Sequence, residues 1–225
     1  MAVMWNCHPN EFQRVAISRI LMMGCKAYGS TALLLVQTTG GGKSMVPMTI
    51  GSVTCGVILI IENTQALSAD QVSKYSDVNR SFGPIEAFQL DTIKNQSDAD
   101  ALCKYLVSLQ PDLNSTIYLY SSPECLLKPH YINMLQQLIA KSTLNLICID
   151  EVHQFVSFGT SFRPQFCDLR AKLFNKIIIH GAHIQQAEST SVPVGGNVIL
   201  KVPLLLMTAT LNSTLLNNLQ QMIGI

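Results

Sequence analysis

The residues Gln37-Thr38-Thr39-Gly40-Gly41-Gly42-Lys43-Ser44 place three glycines directly before a lysine and a hydroxyl. Glycines let a backbone turn tightly and approach a ligand closely. The amide N–H groups of such a turn, with the N-terminus of a following helix, form a nest for a polyphosphate. In that chemistry Thr39, Gly40, Gly41 and Gly42 line the cradle, Lys43 reaches the β- and γ-phosphates, and Ser44 holds Mg²⁺. The strict form of the pattern has glycine at position 37, where this chain has Gln37. Pro47 follows four residues past Lys43. In a helix starting near Gly42 it would lie beyond the first turn, remove a helix bond and kink the helix.

A second group of chemical residues is Asp150-Glu151-Val152-His153, about 107 residues after Lys43 and directly after the apolar run Leu146-Ile147-Cys148-Ile149. Two adjacent carboxylates after a buried strand are costly unless they serve a cation. Asp150 is placed to hold Mg²⁺ through water. Glu151 is placed to orient or deprotonate an attacking water, and His153 to link the site to a neighbouring segment. The paired histidines His180 and His183 are read as ordinary surface or core residues rather than as metal ligands.

The elements that must position these residues are legible as alternation. Ala32–Val36, Val57–Ile61, Thr116–Tyr120, Asn145–Ile149 and Leu204–Met207 are short apolar runs of strand type. Asn10–Met22, Asp98–Gln110, Tyr131–Ala140 and Thr214–Met222 carry apolar residues at helical spacing. Strands alternating with helices predict an α/β fold, a three-layer parallel sheet flanked by helices. Ligands bind such sheets at the carboxyl ends of the strands, which is where both motifs fall. A chain of 225 residues with 48% hydrophobic and 13% charged residues has material for one sizeable core and no disorder signature. Its best candidate for a spanning segment, Val53–Ile61, has nine residues, and a membrane helix needs about 20. No basic segment followed by an apolar one opens the chain, so no secretory signal is expected. Seven scattered cysteines without a Cys-x-x-Cys pair read as reduced thiols in an intracellular protein, not as a zinc site. A net charge of +1 is low for a dedicated nucleic-acid binder, so such binding would need a local patch.

The phosphate loop, the Asp-Glu-Val-His box and the later Leu206-Met207-Thr208-Ala209-Thr210 appear in the order typical of superfamily 2 helicases, and their details resemble the RecQ family. Leu67-Ser68-Ala69-Asp70-Gln71-Val72 resembles that family's motif Ia, which touches the DNA backbone, and Tyr120-Ser121-Ser122-Pro123-Glu124 resembles its motif Ib. Phe158-Gly159-Thr160-Ser161-Phe162-Arg163-Pro164 is similar, without gaps, to its aromatic-rich loop. His8-Pro9-Asn10-Glu11-Phe12-Gln13 resembles its N-terminal motif, whose glutamine reads adenine.

The resemblance implies a single RecA-like, P-loop NTPase domain over residues 1–225, the first lobe of a helicase motor, with ATP and Mg²⁺ as cofactors. Gln13 would pair with adenine, an amide being able to bond bidentately with that edge. Ser68, Gln71, Phe158, Phe162, Arg163, Thr208 and Thr210 would contact DNA or couple it to hydrolysis, with aromatic stacking on bases as the physical means. The implied partners are single-stranded or partly duplex DNA and a second RecA-like lobe, in cis or in trans, carrying an arginine finger; no membrane is involved. Movement from 3′ to 5′ is implied, as is a place with cellular DNA, the nucleus in a eukaryote, and a part in DNA repair or recombination. A regulatory module that binds without turnover and an RNA-directed ATPase of the same superfamily are the competing readings. The chain departs from the family in Phe158 for a tryptophan, Thr160-Ser161 for a His-Asp pair, and a longer stretch between Arg163 and Thr208. That stretch, around 176–203, is expected to be an inserted hairpin turning at Pro193-Val194-Gly195-Gly196-Asn197.

Overall fold

The computed structural model describes residues 8–24, 32–62, 84–110, 114–157, 161–162, 164–175, 178–179, 199–200 and 202–223. Motif Ia with Ser68 and Gln71, the residues Phe158 and Arg163, His180 and His183, and the expected Pro193–Asn197 turn all lie outside them.

Six strands form one parallel sheet: β1 (Ala32–Val36), β2 (Gly56–Ile61), β3 (Ile85–Gln89), β4 (Thr116–Ser121), β5 (Leu144–Ile149) and β10 (Leu204–Thr208), in the order β1-β10-β5-β2-β4-β3. Two short antiparallel ribbons lie outside it: β6 (Val156–Ser157) with β7 (Ser161–Phe162), and β8 (Ile178–Ile179) with β9 (Ile199–Leu200). The second ribbon joins the two ends of the expected insertion. The helices are α1 (Glu11–Gly24), α2 (Met45–Thr54), α3 (Gln96–Ser108), α4 (Pro123–Leu126), α5 (Pro129–Ala140), α6 (Pro164–Leu169) and α7 (Ser213–Ile223). Among the described residues no helix is long and apolar enough to cross a membrane.

Successive strand side chains point to opposite faces, so each central strand feeds two cores. Val57, Leu59, Ile61, Ile147 and Ile149 pack with α3, α5 and α7 on one side. Ile58, Ile60, Leu146 and Cys148 pack with α1 and α2 on the other. The central strands are therefore mostly apolar, and β2 is so at every position, as parallel strands covered on both faces are. The observed α/β three-layer sheet matches the expected one, with one strand more. The added strand, β3, has the sequence Ile-Glu-Ala-Phe-Gln and is only half-buried at the sheet edge, so it lacks the apolar run of the others.

Helix α2 leads from the phosphate loop, and its seating matters most for the site. The expected kink at Pro47 does not arise. α2 begins at Met45, which puts Pro47 in its first turn, where an N–H has no helical partner to lose. The carbonyl of Lys43 accepts from Val46 N–H at 3.0 Å instead. Two β4 side chains then hold the helix from below: Tyr118 Oη donates to Met48 O at 2.5 Å, and Thr116 Oγ1 donates to Gly51 O at 2.8 Å. Burial, opposed by the hydrogen bonds with Ser52 and helped a little by Cys55, pushes the Tyr118 phenol above its usual range, so it stays a donor. Gly51 makes room for it, because a Cβ there would lie 2.6 Å from Tyr118 Oη.

Gly51→Ala sets helix propensity, which favours alanine by about 1 kcal/mol, against overpacking, which costs about 1–3 kcal/mol. The clash should win, with net destabilisation in urea denaturation. Tyr118→Phe in the same chain should recover part of it by removing the nearest atom. A Gly51→Ala variant as stable as wild type would contradict this packing.

Candidate nucleotide-binding site

All six main-sheet strands end at one edge, and the chemical residues leave from there. Three backbone bonds carry the ladder past the strand ends. Gln37 N–H donates to Thr208 O at 3.1 Å, Asp150 N–H to Ile61 O at 2.9 Å, and Glu62 N–H to Ser121 O at 3.1 Å. The phosphate loop, the acidic box and the Thr208–Thr210 segment thus leave at one level, from β1, β5 and β10, which are neighbours in the sheet.

In the loop Gly40 and Gly42 have φ of 79° and 78°, a region that side chains rarely adopt. A Cβ at Gly41 would meet Gln37 Cγ at 2.4 Å, and one at Gly42 would meet Gln13 Nε2 at 2.4 Å. The two tight contacts explain why glycine is needed at 41 and 42. Gln13 itself is buried. Its Nε2 donates to Gly42 O at 3.0 Å, and its Oε1 accepts from Asn10 N–H at 2.8 Å while Asn10 Oδ1 accepts from Gln13 N–H at 2.9 Å. That reciprocal pair is a capping box at the start of α1. The glutamine expected to read adenine thus also ties α1 to the phosphate loop. Sequence reasoning passed over Asn10, although the Asn-x-x-Gln spacing carries the signal.

Lys43 is 7% exposed. Its ammonium donates to Gln37 O at 2.9 Å and Thr38 O at 3.5 Å, and lies 3.7 Å from Glu151 Oε1. The position where the strict pattern has glycine thus supplies, through its backbone, the nearest partner of the lysine. Ser44 takes helical φ and ψ at the start of α2, and its side chain makes no capping bond. Thr39 is exposed at the rim.

Directly after β5, Asp150 Oδ1 accepts from Glu151 N–H at 2.8 Å, and Glu151 sits in the left-handed region with φ 45°. That conformation costs a non-glycine residue about 1 kcal/mol or more. Burial raises the Asp150 carboxyl above its ordinary value, and the charge of Glu151 adds to this; the Glu151 N–H, Lys43 and His153 oppose it. Glu151 Oε2 is buried, has no hydrogen-bond partner and lies 3.2 Å from His153 Nδ1.

His153 Nδ1 also lies 3.0 Å from Thr208 Oγ1. Thr208 Oγ1 donates its one proton to Thr210 O at 2.9 Å and accepts from Thr210 N–H at 3.2 Å. The bond with His153 therefore needs the proton on Nδ1. Thr208 is fully buried and Thr210 exposed, so this chain of bonds runs from the acidic box to the surface. Away from the acidic box, Ser122 N–H donates to Asp91 Oδ2 at 2.8 Å, and Ser122 Oγ donates to Asp91 Oδ1 and accepts from Cys125 N–H. Asp91 gave no sequence signal, because its partner is 31 residues away. Phe162 lies in the β6–β7 ribbon, which follows the acidic box through a 3₁₀ turn at Val152–Phe155.

The donor set fits a Mg²⁺-bound polyphosphate. The cradle is one that a Cβ would fill, Lys43 has only neutral carbonyls and a long ion pair, Ser44 makes no helix cap, and one buried carboxylate oxygen makes no hydrogen bond.

Holding Asp150 ionised in this site costs stability at neutral pH. A carboxylate whose folded pKa is raised stabilises the fold only when protonated, so its contribution is lost as pH rises from the unfolded value near 3.8 through the folded one. Asp150→Asn keeps the acceptor for Glu151 N–H. It should raise Tm by about a few degrees near pH 7 and lose that advantage below about pH 4. An unchanged or lowered Tm at neutral pH would contradict the burial cost.

No family model matches the chain. Sequence relatives do: the chain is 30% identical to ATP-dependent DNA helicase RecQ of a Synechocystis strain, over 61% of this chain and 26% of that protein. It is 25% identical to ATP-dependent DNA helicase Q-like 2 of Arabidopsis thaliana, over 86% of this chain and 23% of that one. Across such relatives it spans between 9% and 28% of their length. In fold it is similar to the helicase domain of Pyrococcus furiosus Hef, at a TM-score of 0.51 and 14% identity, over 96% of this chain and 37% of that one. The six-stranded parallel sheet and the sequence likeness to several RecQ-type proteins make the chain similar to a RecQ-like helicase ATPase region.

Proposed function

We propose that the chain is the ATP-binding lobe of a DNA helicase motor, working on single-stranded or partly duplex DNA. The observation that carries the reading is Lys43: a nearly buried ammonium over a glycine cradle, opposite two carboxylates. The spans matched in RecQ-type helicases support it.

In this reading Lys43 exchanges the Gln37 and Thr38 carbonyls for the β- and γ-phosphate oxygens of ATP. Gly40, Gly41, Gly42 and Thr39 surround the phosphates with backbone N–H groups, and Gln13 meets the adenine edge from its place on Gly42. Ser44 and, through water, Asp150 would hold Mg²⁺, which when bound would supply positive charge against the transferring phosphoryl group. Glu151 takes the proton of the attacking water; its oxygen without a hydrogen bond is the acceptor at hand. His153, through Thr208 to Thr210, ties that event to the far side of the edge. Ser68, Gln71, Phe158, Phe162 and Arg163 are assigned to DNA by resemblance alone. A second RecA-like lobe, in the same protein or another, would close the site and supply an arginine to the γ-phosphate, a contribution worth orders of magnitude in rate. Movement from 3′ to 5′ belongs to this proposal as well.

ATP hydrolysis should be measured with single-stranded DNA, with RNA and with neither, beside Glu151→Gln. The expected result is DNA-stimulated turnover that falls about 100-fold or more in the variant. Turnover that persists in Glu151→Gln would remove the base assignment. Stimulation by RNA and not by DNA would move the protein to the RNA-directed ATPases. Binding without turnover would mean that a second lobe is required for hydrolysis, and would leave a regulatory module as the reading for the chain alone.

A further inference from the structure

From Pro164 to Asn175 the chain is one helical stretch with a fault in it. α6 gives way at Arg170–Phe174 to a π turn, whose bonds run from i to i+5. Such turns occur mostly singly inside α-helices and are frequent at functional places.

The side chains explain the wide turn. Leu169, Leu173 and Phe174 are buried at 0%, 0% and 3% exposure, whereas Arg170, Ala171 and Lys172 are exposed. The buried three stand at i, i+4 and i+5. An α-helix, at about 100° per residue, would spread them over about 140°. The wider winding, at about 80° per residue, gathers them into about 80°. Removing one of the exposed residues would return the buried set to i, i+3 and i+4, the ordinary apolar spacing. The stretch is an amphipathic α-helix holding one spare residue on its solvent side.

The spare residue sits at a junction. α6 opens at Pro164, the last residue of the Phe-Arg-Pro segment, and packs on α4, the helix that Ser122 caps. The π turn packs on α5 and on α7, the helix after Thr208–Thr210. Gln136 Nε2 on α5 donates to Lys172 O at 3.1 Å and pins the turn from that side.

We propose that the π turn at Arg170–Phe174 is a slip joint: α6 winds on or off by one residue while Leu173 and Phe174 stay seated. One step moves α6 by about 1.5 Å and turns it by about 100°. Each form keeps its backbone groups bonded, with the i+5 bonds exchanged for i+4 bonds, so neither is excluded by a lost hydrogen bond. The joint rests on the reading above, in which the Phe-Arg-Pro segment responds to single-stranded DNA, and it names the path by which that response reaches the core.

The test is deletion of Ala171, which leaves a continuous α-helix, beside Ala171→Ser, which keeps the length. Thermal unfolding, ATP hydrolysis with and without single-stranded DNA, and amide hydrogen exchange across 164–175 are measured on the 225-residue chain. The expected deletion variant has an equal or higher Tm, unchanged basal hydrolysis and at least about 10-fold less DNA stimulation. Its exchange no longer responds to DNA, whereas that of wild type and Ala171→Ser does. A deletion that keeps full stimulation overturns the joint. So does one that fails to fold or melts well below wild type, since the turn then only fills space. A wild-type chain whose exchange at 170–175 responds to DNA without stimulated hydrolysis would sink the coupled-ATPase reading and leave the joint standing. No response in either measurement would sink both.

Discussion

The ammonium of Lys43 is the constraint around which the site is organised. A nearly buried cation must find acceptors, and this one finds two carbonyls and a carboxylate at 3.7 Å. These partners are weak beside a polyphosphate, because charged oxygens in direct contact form bonds roughly twice as strong as neutral ones. The arrangement keeps the lysine in place while leaving the exchange favourable. It needs the Gln37 carbonyl turned inward, which needs the glycines that follow, and it needs Glu151 brought across from β5. The first two requirements are met by the loop after β1 and the third by the turn after β5, two strands of one sheet.

That sheet carries costs that a less stable scaffold would not tolerate. Asp150 is buried with its proton affinity raised, Glu151 holds a left-handed backbone, and one of its carboxylate oxygens makes no hydrogen bond. Two apolar layers and central strands covered on both faces over-determine the positions of these residues. The bonds from Gln37 to Thr208 and from Asp150 to Ile61 fix where the loops depart, so local strain is not relieved by sliding one loop against the next. Strain that persists at one edge of a well-packed sheet is characteristic of sites that bind and react.

Much of this was legible in the sequence, because most of the strands are dense apolar runs and the motifs are short and local. Ala32–Val36 was read with its observed ends, and the other four expected strands to within about one residue at either end. What escaped depends on distance or on register. β3 escaped because an edge strand needs only half of its surface to be apolar. The kink expected at Pro47 failed because helix α2 starts three residues later than Gly42, and nothing local marks that start. Asp91 meets Ser122 only through the fold. The roles assigned to Ser68, Gln71, Phe158 and Arg163 rest on resemblance, as those residues lie outside the described structure.

The account stands on one exchange, in which phosphate replaces backbone carbonyls around Lys43. Calorimetric titration of the chain with ATP, in the presence and absence of Mg²⁺, tests it directly when run beside Lys43→Ala of verified fold. The account requires saturable binding that Mg²⁺ strengthens and that the substitution removes. Binding of equal strength in Lys43→Ala, or none in wild type, would contradict it.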